Sequence, residues 1–124
     1  MPVLRDVDRK SHGEIAADLA ALSQKARDRK LTLEEMAGGV FTISNLGSFG
    51  VEAFTPIINP PQTAVLGLGA IRWEPVVLAS GQIVAREQMM LSLTFDHRVV
   101  DGATGSAFLQ TLQGLLEEPL RMLV

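Results

Sequence analysis

Two hydrophobic periods divide this 124-residue chain, and its most informative stretch lies where one gives way to the other. Met90, Ser92 and Thr94 alternate with Leu91, Leu93 and Phe95. That period of two predicts a β-strand with one buried face. Beyond Gly102 the apolar residues Phe108, Leu109, Leu112, Leu115 and Leu116 recur at three- and four-residue steps. That spacing predicts an amphipathic helix from about Ala103 to Leu116, ended by Pro119. Upstream, Ile15, Leu19, Leu22 and Ala26 predict another helix. Ser11 and Glu14 form a capping box at its start, and Arg27, Arg29 and Lys30 suit the macrodipole near its end. His12 at its start reads as an exposed residue rather than a ligand.

The remaining segments read from composition and turn residues. Val3, Leu4 and Val7 predict a short strand. Leu31–Met36 predicts a short turn or helical piece that starts at Thr32 or Leu33 and stops at Gly38-Gly39. Val40–Ile43 and the apolar run Thr63–Ile71 predict strands. Glu74–Ala79 and Gln82–Glu87 predict a hairpin joined through Ser80-Gly81. The tail Leu120, Met122, Leu123 and Val124 should be buried against this chain or a neighbour. Together these elements predict an α+β fold: a mixed sheet of five or six strands with two helices packed on one face.

Hydrophobic residues make up 47% of the chain, which argues against disorder, and there is length enough for one small core. The net charge of −3 gives no basis for nucleic-acid binding, and no basic run marks a membrane surface. No apolar stretch approaches the roughly 18 residues of a membrane-spanning helix. Absence of cysteine excludes a disulfide scaffold and a thiolate metal site. A cytoplasmic setting is the expectation. Gly67-Leu68-Gly69 is not a dinucleotide fingerprint, because no third glycine and no helix follow it. Its missing side chains leave room for another backbone or a ligand.

The candidate chemistry sits at the change of period, in Asp96-His97-Arg98-Val99-Val100-Asp101-Gly102. A histidine held at the end of a strand can be aimed, and its pKa near 6.5 lets it accept and return a proton near neutral pH. A lone histidine there is more often structural or merely exposed. However, His97-x-x-x-Asp101-Gly102 resembles the motif of CoA-dependent acyltransferases, which include the E2 cores of 2-oxo acid dehydrogenase complexes and chloramphenicol acetyltransferase. Gly38-Gly39-Val40-Phe41-Thr42-Ile43-Ser44-Asn45-Leu46-Gly47 and Phe54-Thr55-Pro56-Ile57-Ile58-Asn59-Pro60-Pro61-Gln62 also resemble E2 acyltransferase segments, in the same order. The resemblance covers essentially the whole chain and favours E2 cores over chloramphenicol acetyltransferase, which carries a second histidine where this chain has Asp96.

The resemblance implies the CoA-dependent acyltransferase fold and acyl transfer between a dihydrolipoyl thiol and coenzyme A, both as substrates and with no metal. His97 would be the general base and Ser44 the donor to the carbonyl oxygen. Asn45, Leu46 and Gly47 would contact the cofactor. Asp101 has two readings. It could polarise His97, or it could make a structural contact at the helix start; the second is preferred. Asp96 and Arg98 would hold the loop, and Gly102 would serve its backbone geometry. The family further implies a homotrimer whose site takes histidine from one subunit and serine from the next. Such trimers assemble into a cubic or dodecahedral core with E1 and E3 components as partners, and neither nucleic acid nor membrane is implied. The expectation for residues 1–124 is the C-terminal portion of the catalytic domain, a fragment without the preceding half and without lipoyl and peripheral subunit-binding domains. Two alternatives stand beside the enzyme: a non-catalytic oligomerising or assembly module of the same fold, and a chloramphenicol-type acetyltransferase.

Overall fold

The computed structural model describes residues 1–123 and divides the chain into two compact units, residues 1–40 and 41–124. The first unit is helical. Helix α1 (His12–Arg27) opens with the expected capping box: Ser11 Oγ accepts from the Glu14 amide at 3.3 Å, and the Glu14 carboxylate accepts from the Ser11 amide at 2.8 Å. A second box starts α2 (Leu33–Met36), where Thr32 and Glu35 exchange the same pair of bonds. The apolar stripe of α1 is only partly covered, and no residue of that helix is buried. Lys10 pairs with Asp18 at 2.7 Å, and Lys25 pairs with Glu35.

The strand expected at Val3–Val7 does not form. Val7–Arg9 is a turn of 3₁₀-helix, and the segment before it is tied to α2 instead. The Val3 amide donates to the Glu35 carbonyl, and the Arg5 guanidinium donates to the Glu34 and Ala37 carbonyls. Apolar composition there marked a segment that needed partners, and α2 supplies them in place of a sheet.

Among the described residues the second unit contains five strands in two sheets, where a single sheet was expected. Strands β1 (Thr42–Asn45), β2 (Ala64–Leu68) and β5 (Leu91–Phe95) form a mixed sheet with β2 in the middle. β1 runs parallel to β2, and β5 runs antiparallel to it. Strands β3 (Arg72–Val77) and β4 (Ile83–Gln88) form a separate hairpin, closed where Gly81 adopts φ 83°. Helix α3 (Gly102–Glu117) packs on β5, with Gly105 buried against Phe95.

Val65, at 1% exposure, and Leu66 form the core with Ala70. This is why β2 reads as an unbroken apolar run: it has a strand on either side. Two parallel strands require a crossover of a dozen residues or more. Here residues 46–63 supply it without a long helix, passing the cis Pro60–Pro61 bond on the way. The crossover rests on the glycines of β2 and the residue after it. The Phe54 ring and Pro56 cover Gly67, and the Glu52 carbonyl lies so close to Gly69 that a methyl there would fall 1.9 Å from it. The space left by these glycines is therefore filled by the chain's own backbone and side chains. Of the two expectations for the C-terminal tail, burial within this chain is not met: Leu120 is 75% and Leu123 72% exposed. Val124 lies outside the described residues.

Candidate active site

Two loops of the second unit carry the candidate residues. The first follows β5. The Asp96 amide donates to the Thr63 carbonyl at 2.8 Å, which carries the pairing with β2's side of the sheet one residue beyond the ladder. The Asp96 carbonyl then accepts from the Val99 and Val100 amides, both at 3.0 Å, and closes a tight turn over His97. Its carboxylate accepts from the Arg98 amide at 3.0 Å and from the guanidinium at Nε (3.0 Å) and Nη2 (2.6 Å). The guanidinium first, and the amide second, hold the Asp96 carboxyl down at about 2.

His97 is exposed at the apex of this turn. Its ring leans on Phe95, with centroids 5.8 Å apart and planes tilted by 48°. Phe95 is in turn seated on α3: a methyl on Gly105 would lie 2.6 Å from Phe95 Cε1. The imidazole thus rests on a ring that the helix cannot let move inward. Neither Phe95 nor Gly105 stood out as a support in the pattern of apolar residues, although a glycine on a core-facing helix position is the signal that could have found them.

Asp101 is the N-cap of α3. Its backbone is extended (φ −88°) and its Oδ1 accepts from the Thr104 amide at 2.7 Å. That amide is the main reason its carboxyl sits below the ordinary value, with the nearby His97 a lesser contributor. Among the described residues its carboxylate makes no hydrogen bond to the His97 ring. The structure thus gives Asp101 the geometry of a helix-start contact.

The second loop follows β1. Ser44 is half-buried on that strand, opposite Gly67, and its hydroxyl has no hydrogen-bond partner among the described residues. Asn45 Oδ1 accepts from the Gly47 amide at 2.9 Å, and the Leu46 amide donates to the Leu68 carbonyl at 3.2 Å. Gly47 then passes across Gly69, where a methyl would fall 2.5 Å from the Gly69 carbonyl oxygen. Asn45, Leu46 and Gly47 thus build the turn that follows Ser44.

The sheet register keeps the two loops apart within one chain. Ser44 is level with Gly67 and Ser92, whereas Phe95 pairs with Ala64, at the other end of the sheet. At roughly 3.3 Å per residue along a strand and 4.8 Å between strands, Ser44 and Phe95 stand on the order of 14 Å apart. His97 continues from Phe95 away from Ser44. His97 and Asp101 are brought to one turn; Ser44 is not.

Residues 1–124 match the family of 2-oxoacid dehydrogenases acyltransferase (catalytic domain). The chain belongs to this family. It is 51% identical over 123 residues to a dihydrolipoyllysine-residue succinyltransferase component of the 2-oxoglutarate dehydrogenase complex from Haemophilus influenzae, covering 99% of this chain and 30% of that protein. Among solved structures it resembles the Azotobacter vinelandii dihydrolipoamide acetyltransferase, in which the catalytic roles of one serine, one histidine and one asparagine were investigated. The TM-score is 0.93 and the identity 41%, covering 99% of this chain and half of that one. It also resembles the cubic core of a pyruvate dehydrogenase multienzyme complex, with TM-score 0.93, 42% identity and the same coverage. The acyltransferase relatives are therefore longer: the chain spans about 30% of the curated relative and half of each solved chain.

Proposed function

We propose that this chain carries the histidine and serine half-sites of an acyltransferase that moves an acyl group between a dihydrolipoyl thiol and coenzyme A in a 2-oxo acid dehydrogenase complex. The observation that carries this reading is the built turn at His97: an exposed imidazole on a seated aromatic ring, in a chain that matches the catalytic-domain family throughout. A thiol with a pKa near 8.5 is mostly protonated at neutral pH, and its thiolate is the nucleophile. His97 takes the thiol proton, the thiolate attacks the thioester carbonyl, and the negative charge gathers on the carbonyl oxygen. Ser44 donates to that oxygen. Collapse of the intermediate expels the second sulfur, which recovers the proton from His97.

Asp101 keeps the histidine turn in register as the cap of α3. The Azotobacter vinelandii enzyme supports this assignment: its asparagine stands four positions after its histidine, as Asp101 follows His97, and its serine precedes that histidine by 52 positions, against 53 here. Aspartate and asparagine differ in charge but are equally good N-caps, so capping is the property they share. Asn45, Leu46 and Gly47 shape the loop on which coenzyme A would lie next to Ser44. Residues of the longer relatives that lie in the half preceding the matched stretch complete the substrate groove in this reading, and the cytoplasm is the compartment proposed.

The separation of Ser44 from His97 along the sheet supports a site shared by two copies, with histidine from one protomer meeting serine from the next. A cyclic trimer provides three such sites, and larger cores with E1 and E3 components belong to the same proposal. Complementation tests it. His97→Ala alone and Ser44→Ala alone should each lose acyl transfer from acyl-dihydrolipoamide to coenzyme A. After unfolding and refolding together in equal amounts, about one site in four should combine both intact groups, and about a quarter of the wild-type rate should return. No recovery, with trimers seen by mass, would place both groups in one chain. Undiminished rates in His97→Ala would leave the non-catalytic assembly module as the correct reading.

A further inference from the structure

We propose that Asp96 is the positioning residue that sets the aim of His97, and that Arg98 acts through it. The inference rests on the acyltransferase reading above and goes beyond it, since neither residue touches the reacting atoms. Asp96 joins three parts of the turn. Its amide is fixed to Thr63, beside the central strand. Its carbonyl gathers the amides of Val99 and Val100, which lead into the helix. Its carboxylate gathers the amide of Arg98 and both ends of the guanidinium fork.

Among the described residues the His97 side chain makes no hydrogen bond; it leans on the Phe95 ring and lies near the Asp101 carboxylate. Its direction therefore follows from the backbone on either side, and Asp96 defines that backbone from the preceding residue. The Arg98 side chain is 89% exposed, while that of Asp96 is 23% exposed. The charged end of Arg98 thus folds back over the turn from solvent and braces it from outside. A displacement of about 1 Å at a catalytic group can cost on the order of 100-fold in rate, so a brace at this point carries weight.

The experiment uses Asp96→Ala, Asp96→Asn and Arg98→Ala in this chain, with two readouts. The first is steady-state acyl transfer. Asp96→Ala removes every carboxylate bond and should lower kcat by about 10- to 100-fold, with the KM for coenzyme A within about twofold of wild type. Asp96→Asn keeps an oxygen for the Arg98 amide and should recover most of that loss, and Arg98→Ala should fall between. The second readout is the NMR spectrum of the two histidines, with His12 as internal reference. The His97 ring protons lie in the ring current of Phe95 and should move toward free-histidine positions in Asp96→Ala, while the His12 signals stay in place. If Asp96→Ala does not fold, Arg98→Ala and Asp96→Asn decide, each with a smaller shift in the same direction. Wild-type kcat and an unmoved His97 spectrum in the folded variants would overturn the proposal. The spectral readout needs no turnover, so failure of the acyl-transfer reading and failure of the positioning role are distinguishable.

Discussion

The loop after Ser44 and the turn at His97 are both rigid, but they are built by opposite means. The serine loop is held by absence. Gly47 and Gly69 have no side chains, so two backbones approach within a distance that any methyl would violate. The histidine turn is held by presence. Asp96 and Asp101 spend their carboxylates on amides, and Arg98 adds a fork from solvent. A loop locked by close backbone approach is sensitive to added volume, whereas a loop locked by carboxylates is sensitive to removed charge or removed oxygen. Both devices leave the side chain proposed to react without a hydrogen-bond partner among the described residues.

The largest expected effect tests that last statement. His97→Ala should lower kcat by roughly 10²–10⁴, the usual contribution of a placed general base. Ser44→Ala should lower it by about 10²–10³, the usual cost of one oxyanion donor. Neither side chain has a hydrogen-bond partner among the described residues, so the melting temperature of each variant should stay close to wild type. A variant that loses stability along with activity would show that its side chain also builds its loop.

The next test separates the two constructions directly. Gly47→Ala drives a methyl to 2.5 Å from a backbone oxygen, whereas Gly102→Ala meets nothing within 4 Å. The first should cost about 1–3 kcal/mol, in the range of overpacked sites. The second, at the first position of α3, should change stability by no more than about 0.5 kcal/mol. Chemical denaturation of both variants measures the pair. Equal costs would mean that close backbone approach does not lock the serine loop.

How far this architecture could be read from residues alone depends on which forces are local. The Ser11–Glu14 cap, the hairpin turn at Gly81 and the change of period at residue 102 are decided within a few residues, and the structure has them where the pattern placed them. Pairing is not local. Val40–Ile43 has strand composition, yet the strand begins at Thr42 because its register is set by Val65 across the sheet. The hairpin of β3 and β4 looks like part of one sheet in sequence, but nothing in an alternating pattern names the partner strand, and it forms its own sheet. The same limit applies to the candidate site. His97 and Asp101 share a turn, so their relation was legible. Ser44 and His97 lie at opposite ends of the sheet, which only the register shows.

The smallest effect sharpens the account of the histidine turn through pH. The Asp96 carboxyl is held at about 2 by Arg98, below its ordinary value. A carboxylate whose folded pKa is depressed stabilises the fold fully above its unfolded pKa, near 3.9, and the contribution is lost as pH falls toward the folded value. Asp96→Asn carries a neutral side chain at every pH. The melting temperatures of wild type and Asp96→Asn should therefore differ most at pH 6, with wild type the higher, and converge between about pH 4 and pH 2. The gap should be modest, because Arg98 is solvent-exposed and such pairs are screened, and it should shrink further in high salt. Comparing the two proteins cancels the other carboxyls held low in the fold, Glu14, Glu35 and Asp101, since both carry them. Equal melting temperatures at pH 6 would mean that Asp96 braces the turn by its shape and its oxygen, which Asn shares, rather than by its charge, which would bring it closer to the backbone-locked serine loop than to an ion-paired one.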